Sequence, residues 1–143
     1  MRFVLSALSL LVAGVCWADS ATLGNSADIR KVTDAALNLI AEGKIEEAFA
    51  KLAPYWPMPE NEVSTLVLKT VQQRNLIEPR FGRTLGVEFI GEDRAGDFGV
   101  RLTYVEKREQ HVLRWRFVFY KPRDCWIANS VFWNDQIGEL FRE

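Results

Sequence analysis

The hydrophobic residues of this chain change their spacing at Gly82, and this change constrains the fold more than any other feature of the sequence. Before Gly82, apolar residues recur every three or four positions, which is the spacing of amphipathic helices. After Gly82 they alternate with polar residues, as they do in strands that bury one face. A helical first half followed by a stranded second half predicts an α+β domain.

Three helices are predicted in the first half. The first begins with Ser26 as its N-cap and ends at Gly43, and the second follows at once and ends at Pro54. Three prolines predict a rigid extended linker over 54–59, because proline excludes a continuous helix. A third helix is predicted to begin at Pro59 and to fade around 75–78.

Four strands are predicted in the second half. Tight connections between consecutive alternating runs are typical of hairpins, so the four runs predict a curved antiparallel meander on which the helices pack. One face of this sheet is expected to point towards the helices. Its predicted residues are Leu85, Val87, Phe89, Phe98, Val100, Leu102, Tyr104, Leu113, Trp115, Phe117 and Phe119.

The first eighteen residues have the pattern of a cleaved secretory signal. Arg2 supplies the positive start, 3–15 is an apolar run, and 16–18 is a small-x-small cleavage site. The run is shorter than the roughly 20 apolar residues that cross a bilayer. The residues before Cys16 match a lipoprotein motif poorly, so lipidation is the weaker alternative. We therefore expect a periplasmic or secreted protein.

Cleavage is expected to leave a flexible lead over 19–25 and one α+β domain over 26–143. Without Arg2 the chain has 17 basic and 19 acidic side chains, which differs from the basic excess of nucleic-acid binders. We expect no nucleic-acid partner and no membrane contact after cleavage. One histidine and one remaining cysteine, Cys125, do not give the spacing of a zinc site, so no metal and no cofactor are expected. Cys125 is expected to have no intramolecular disulfide partner.

Two groups of residues are candidates for binding a small ligand or a partner protein. The first group is four aromatic residues at a predicted pocket mouth, where they could stack on a ligand: Tyr55, Trp56, Trp126 and Trp133. The second group is three arginines that strand alternation places on the sheet face opposite the helices: Arg101, Arg114 and Arg116. Such a face suits an anionic ligand, a partner protein or a homodimer interface. The structural alternatives are core-capping aromatics and an ordinary solvated face.

The order of the predicted elements over 26–141 resembles the cone-shaped domains of the nuclear transport factor 2-like superfamily. A cystatin-like arrangement, with one helix clasped by a sheet, is the alternative fold. The stretches 48–56 and 113–120 also resemble those of small secreted bacterial proteins of uncharacterised role. The superfamily resemblance implies a pocket between helices and sheet, which its members use as isomerases or dehydratases, small-molecule binders or dimerising modules. Fold alone does not choose among these functions.

A catalytic alternative centres on His111, the only histidine. As a general base it would need an orienting acid, and Glu109 or Asp135 could serve if the fold brings one of them close. A proton-transfer enzyme in such a cone also needs an acid on the inward strand face, where only Glu106 continues the register, at a strand end. We therefore favour a noncatalytic binding module, including an inhibitor, immunity-like or virulence-associated factor, over a small lyase, isomerase or hydrolase.

Overall fold

The helices precede a single antiparallel sheet, as the change of spacing predicts. A computed structural model describes residues 21–141, so the predicted signal peptide and the first residues of the predicted lead lie outside the described part. Three helices are followed by four strands in the order β1-β2-β3-β4. The predicted α+β class, with N-terminal helices and a curved antiparallel meander, is confirmed. Among the described helices, none is both long enough and apolar enough to span a membrane.

The helical half contains α1 (Ser26–Ala41), α2 (Ile45–Leu52) and α3 (Glu60–Phe81). Asn25, rather than Ser26, caps α1, because its side chain accepts a hydrogen bond of 3.0 Å from the backbone N–H of Asp28. A turn of 3₁₀ helix over Ala53–Tyr55 follows α2 directly. The predicted extended linker is therefore wrong over its first residues, since a 3₁₀ turn accepts proline near its start.

The end of α3 lies beyond the predicted one, because the helix continues through Pro79 to Phe81. The backbone N–H of Gln110 donates to the carbonyl of Phe81 at 3.0 Å. The Arg108 guanidinium donates to the carbonyl of Gly82 at 2.6 and 2.8 Å. Residues distant in sequence thus satisfy the carbonyls at the helix end, which a local proline signal does not reveal.

The stranded half contains β1 (Thr84–Ala95), β2 (Gly99–Arg108), β3 (Val112–Tyr120) and β4 (Ile127–Asn134). Most predicted inward residues are buried or half-buried. Two are wrong, since the side chain of Leu85 is 66% exposed and that of Phe98 is 56% exposed. Leu85 lies in a register irregularity of β1, and Phe98 lies in the turn before β2, so neither follows the alternation.

The core lies between α1, α2 and the inward face of the sheet. Its largest fully buried apolar side chains come from all of these elements: Ile29, Leu37, Ile40, Phe49, Leu52, Leu102, Leu113, Trp115, Phe117 and Phe119. Burying so many large side chains is the main favourable contribution to folding. The resulting sheet has one face packed against the helices and the other turned away from them.

The predicted flexible lead is attached to the sheet at one residue. Leu23 is buried, and its backbone N–H and C=O both pair with Trp126, at 3.0 and 2.9 Å. Cys125, the residue before Trp126, is disulfide-bonded. The expectation of no intramolecular disulfide partner concerns the chain after cleavage, and for that chain it stays a prediction.

A buried carboxylate, Glu106, joins the helices to the sheet. Arg74 of α3 donates to both carboxylate oxygens, at 2.7 and 3.0 Å. Arg108 and the indole N–H of Trp115 donate at 3.0 and 3.1 Å, and the hydroxyl of Thr84 donates at 2.6 Å. The side chain of Glu106 is 0% exposed. The inward face of the sheet therefore holds a fully buried acid, whereas the sequence predicted an acid only at the end of a strand. Every one of these contacts favours its charged form.

The electrostatics of Glu106 explain why it stays charged in the core. Burial by itself would raise the pKa of this carboxyl, but the hydrogen bond and charge of Arg74, together with Thr84 and Trp115, hold it below its ordinary value. A carboxyl with a lowered folded-state pKa stabilises the fold above its unfolded pKa of about 4.3, and this contribution disappears as the pH falls through the folded pKa. At neutral pH, Glu106 is therefore charged and paired with all of these donors.

We predict that Arg74→Met lowers the free energy of unfolding by about 3 to 5 kcal/mol, because it leaves a buried carboxylate without its main partner. Urea denaturation monitored by tryptophan fluorescence measures this change. The matched control is Arg83→Met, since Arg83 is 85% exposed and pairs with Glu109 at 2.8 Å on the surface. Its expected cost is below about 1 kcal/mol. Similar losses in both variants would contradict the role given to the buried pair.

Candidate functional site

Three guanidinium groups lie on the sheet face that is turned away from the helices. Arg101 belongs to β2, and Arg114 and Arg116 belong to β3. In the register, Arg116 is opposite Thr103 and Arg114 is opposite Val105, so all three arginines share one face. We call Arg101, Arg114 and Arg116 the arginine face.

Within residues 21–141, two carboxylates pair with the arginine face. Arg101 is held by Asp93 of β1, through two hydrogen bonds of 3.0 and 2.9 Å. Glu139, in the C-terminal 3₁₀ helix Ile137–Leu140, accepts a hydrogen bond from Arg114. The same carboxylate oxygen lies 3.8 Å from a nitrogen of Arg116. One carboxylate therefore serves two guanidinium groups, and the C-terminal turn covers part of the face.

Arg114 has more hydrogen-bond donors than the described chain satisfies. Its side chain is 1% exposed, and its Nε and Nη1 atoms have no hydrogen-bond partner among the described residues. The Nε atom of Arg116 is also buried without a partner there. A buried donor left without an acceptor costs about 1–3 kcal/mol, and more when it is charged. The arginine face is therefore chemically incomplete within the described chain.

The electrostatic environment of Arg116 also indicates that the arginine face is incomplete within the described chain. Burial, and then the like charges of Arg114 and Arg101, lower the pKa of this guanidinium from its ordinary value, and Glu139 and Asp93 only partly oppose them. Arginine remains protonated near neutral pH. Its charge is therefore maintained at an electrostatic cost that an additional anion would reduce.

The four aromatic candidates contribute mainly to packing. Trp56 is buried, stacks on Phe49 with ring centroids 6.5 Å apart, and donates its indole N–H to the carbonyl of Asn129 at 3.1 Å. Trp133 is half-buried and stacks on Trp115 at 5.5 Å.

Trp126 is buried and precedes β4, whereas Trp133 lies near the other end of that strand. Tyr55 is half-buried at the end of the 3₁₀ turn. Within the described residues, these side chains are thus distributed along the core and do not gather at one pocket mouth. Their role in ligand binding stays a prediction.

His111 and its two predicted acids have separate environments. The ring of His111 packs edge-on against Phe81, with centroids 4.5 Å apart. Glu109 binds the backbone N–H and the guanidinium of Arg83, and these hydrogen bonds lower its pKa. Asp135 is exposed after β4. In the part of the chain that the structure describes, no hydrogen bond joins His111 to either acid, so the geometry gives the histidine a packing contact at the end of α3.

The space between α1 and the sheet contains a cleft of about 210 Å³ with a polar lining that the sequence did not reveal. The hydroxyl of Tyr104 donates to Asp34 at 2.7 Å, and Arg30 donates to the same oxygen at 2.7 Å. Burial raises the pKa of Tyr104. The hydrogen bond with Thr33 lowers this pKa and the hydrogen bond with Asp34 raises it, so the pKa lies above its ordinary value. Arg30 also lies 3.5 Å from the centroid of the Phe89 ring.

The i, i+4 spacing of Arg30 and Asp34 was the one signal in the sequence that could have indicated this cleft. Because these two charges neutralise each other, the cleft is a weaker candidate than the arginine face.

Comparison with models of protein families finds no match, and comparison with curated proteins and with solved structures finds no significant match. The resemblance to the nuclear transport factor 2-like superfamily therefore stays a prediction, and the α+β fold is the level at which the structure supports it. A functional hypothesis for this chain depends on the geometry of its own side chains.

We predict that His111→Ala lowers the free energy of unfolding by about 1 kcal/mol, because it removes the edge-on contact with Phe81. Chemical denaturation measures the loss. His111→Phe is the matched control, since it keeps a ring in the same place and should retain most of the stability. A His111→Ala variant as stable as the parent protein would show that this contact is not structural.

Proposed function

We propose that this protein is an exported, noncatalytic interaction module whose arginine face binds an acidic segment of a partner protein. The proposal rests on one observation: the buried guanidinium of Arg114 has two nitrogen atoms without a hydrogen-bond partner in the described chain. Carboxylates match the forked geometry of arginine and form its strongest hydrogen bonds. Acidic side chains of a partner would supply the acceptors that Arg114 and Arg116 lack.

The surroundings of the arginine face favour a protein partner over a small anion. Phe132 lies opposite Arg116 in the register and is 51% exposed. Ile137 and Phe141 are exposed on the C-terminal turn that carries Glu139. Interfaces between proteins are enriched in arginine and aromatic residues, and a small anion would leave these apolar side chains in water.

Glu139 determines how a partner would reach the site. Because Arg114 is almost completely buried, an incoming carboxylate must displace the side chain of Glu139 or the turn that carries it. Glu139 thus acts as an internal carboxylate in the place of the partner's acid. Exchange of one carboxylate for another keeps the buried arginine paired throughout binding.

Export and family membership belong to the same proposal. The apolar run over 3–15 and the small-x-small site that follows it support export. The order of three helices and four antiparallel strands supports a cone-shaped arrangement similar to the nuclear transport factor 2-like superfamily. The functions that this resemblance implies include noncatalytic dimerising modules.

We predict that a fluorescein-labelled octapeptide of alternating glutamate and phenylalanine binds the protein, and that the double variant Arg101→Ala/Arg116→Ala weakens this binding at least about tenfold. Fluorescence anisotropy at low and high salt measures the affinity. Arg123→Ala is the matched control, because Arg123 is exposed in the connection between β3 and β4. The same peptide with glutamine in place of glutamate should bind weakly to all forms.

The variant Glu139→Gln should change the affinity in the opposite direction to the double variant. Removing the internal carboxylate should strengthen binding of the acidic octapeptide several-fold, to the order of 1 kcal/mol, because Arg114 then lacks its charged partner. Unchanged affinity in both the double variant and Glu139→Gln would contradict the proposed site.

We predict that the full chain, expressed in a bacterial host, is recovered from the periplasm or the medium with Asp19 as its first residue. Intact-mass analysis under reducing conditions measures the loss of 1–18 directly. A cytoplasmic protein that keeps its first eighteen residues would contradict export.

A further inference from the structure

A second surface, on the helical side of the molecule, has the form of a binding groove. It lies between α2 and α3 and has a volume of about 570 Å³. Phe49, Ala50 and Ala53 form the wall on the side of α2. Val63, Val67 and Val71 form the wall on α3, where their spacing of four residues makes one continuous apolar stripe.

The valine stripe of α3 is only half-buried. The buried residues of α3 are Thr70, Arg74 and Phe81, which lie at the middle of the helix and beyond it. None of the residues 60–69 is buried, and Leu68, which also lines the groove, is 58% exposed. The helix is therefore most deeply buried from its middle onwards. Leu66 and Val67 pack partly against the core, and the first half of the helix forms one side of an open apolar cleft.

The charges at the groove indicate what kind of partner fits. Among the described residues, two ionisable side chains line it, and both are acidic: Glu46 at the start of α2 and Glu60 at the start of α3. Neither Lys51 nor Lys69 contributes to the lining. An apolar floor with carboxylates at its rim is complementary to a helix that has one apolar face and basic residues beside it.

We propose that this groove binds a basic amphipathic helix of a partner protein. The apolar face of that helix packs on the valine stripe of α3 and on Phe49, and its lysine or arginine side chains pair with Glu46 and Glu60. The small side chains of Ala50 and Ala53 let the partner backbone approach α2 closely. This site is separate from the arginine face, since it lies on the helices and selects the opposite charge.

The test uses a fluorescein-labelled 18-residue peptide of leucine and lysine in an amphipathic helical pattern, with a leucine–glutamate peptide of the same pattern as its counterpart. We expect the lysine peptide to bind the full-length expressed protein with at least about tenfold higher affinity than the glutamate peptide. Ala50→Trp fills the groove from an exposed position and should weaken binding at least about tenfold. Ala35→Trp is the matched control, because Ala35 is exposed on α1 outside the groove.

Further variants separate this proposal from its competitors. Glu46→Lys/Glu60→Lys should reverse the preference towards the glutamate peptide, and Arg101→Ala/Arg116→Ala should leave binding of the lysine peptide unchanged. Equal binding of both peptides, or full binding to Ala50→Trp, would overturn the proposal. A wild-type dimer in sedimentation experiments that Ala50→Trp converts to a monomer would also overturn it, because a second copy of the chain would then occupy the groove.

Discussion

The contact of Arg74 with Glu106 connects most elements of this fold. Arg74 reaches from α3 to both oxygens of Glu106 on β2 and also donates to the carbonyl of Ile40 near the end of α1, at 3.3 Å. The same carboxylate accepts from Thr84 of β1 and Trp115 of β3. Burying a carboxylate is costly, and it is tolerated here because donors from three strands and one helix surround it. This charge, together with apolar side chains of α3 such as Phe81 and Ile77, holds α3 against the rest of the fold.

The inward contact of Trp115 also determines the chemistry of the opposite face. Because side chains alternate along a strand, an indole that points inward to Glu106 places Arg114 and Arg116 on the outer face. The two faces then differ in how completely their buried charges are paired. Glu106 has a donor for each oxygen, which is typical of a structural group, whereas Arg114 keeps unpaired nitrogen atoms beside Glu139. This contrast is the physical reason for proposing that the outer face binds a partner, while the buried charges of the inner face stabilise the fold.

Local patterns predicted the elements of this fold, and contacts between distant residues determined where the predictions failed. Alternation placed the arginines of β3 on the outer face correctly, because the strand is regular over their positions. Glu139 covers Arg114 from a turn 25 residues further along the chain. Alternation within a strand gives no information about a contact with so distant a residue. The burial of Glu106 likewise depends on Arg74, 32 residues away, and could not be read from the strand itself. Leu85 was misplaced because a register irregularity interrupts the alternation that its assignment assumed.

Native mass spectrometry of the protein recovered from the periplasm without refolding tests the central claim, that the arginine face binds an acidic partner. The wild-type protein should retain an acidic polypeptide, and the same preparation of Arg101→Ala/Arg116→Ala should lack it. A neutral small molecule as the retained species, or an adduct of equal occupancy in both proteins, would contradict the assignment. A homodimer that survives the double substitution would contradict it as well.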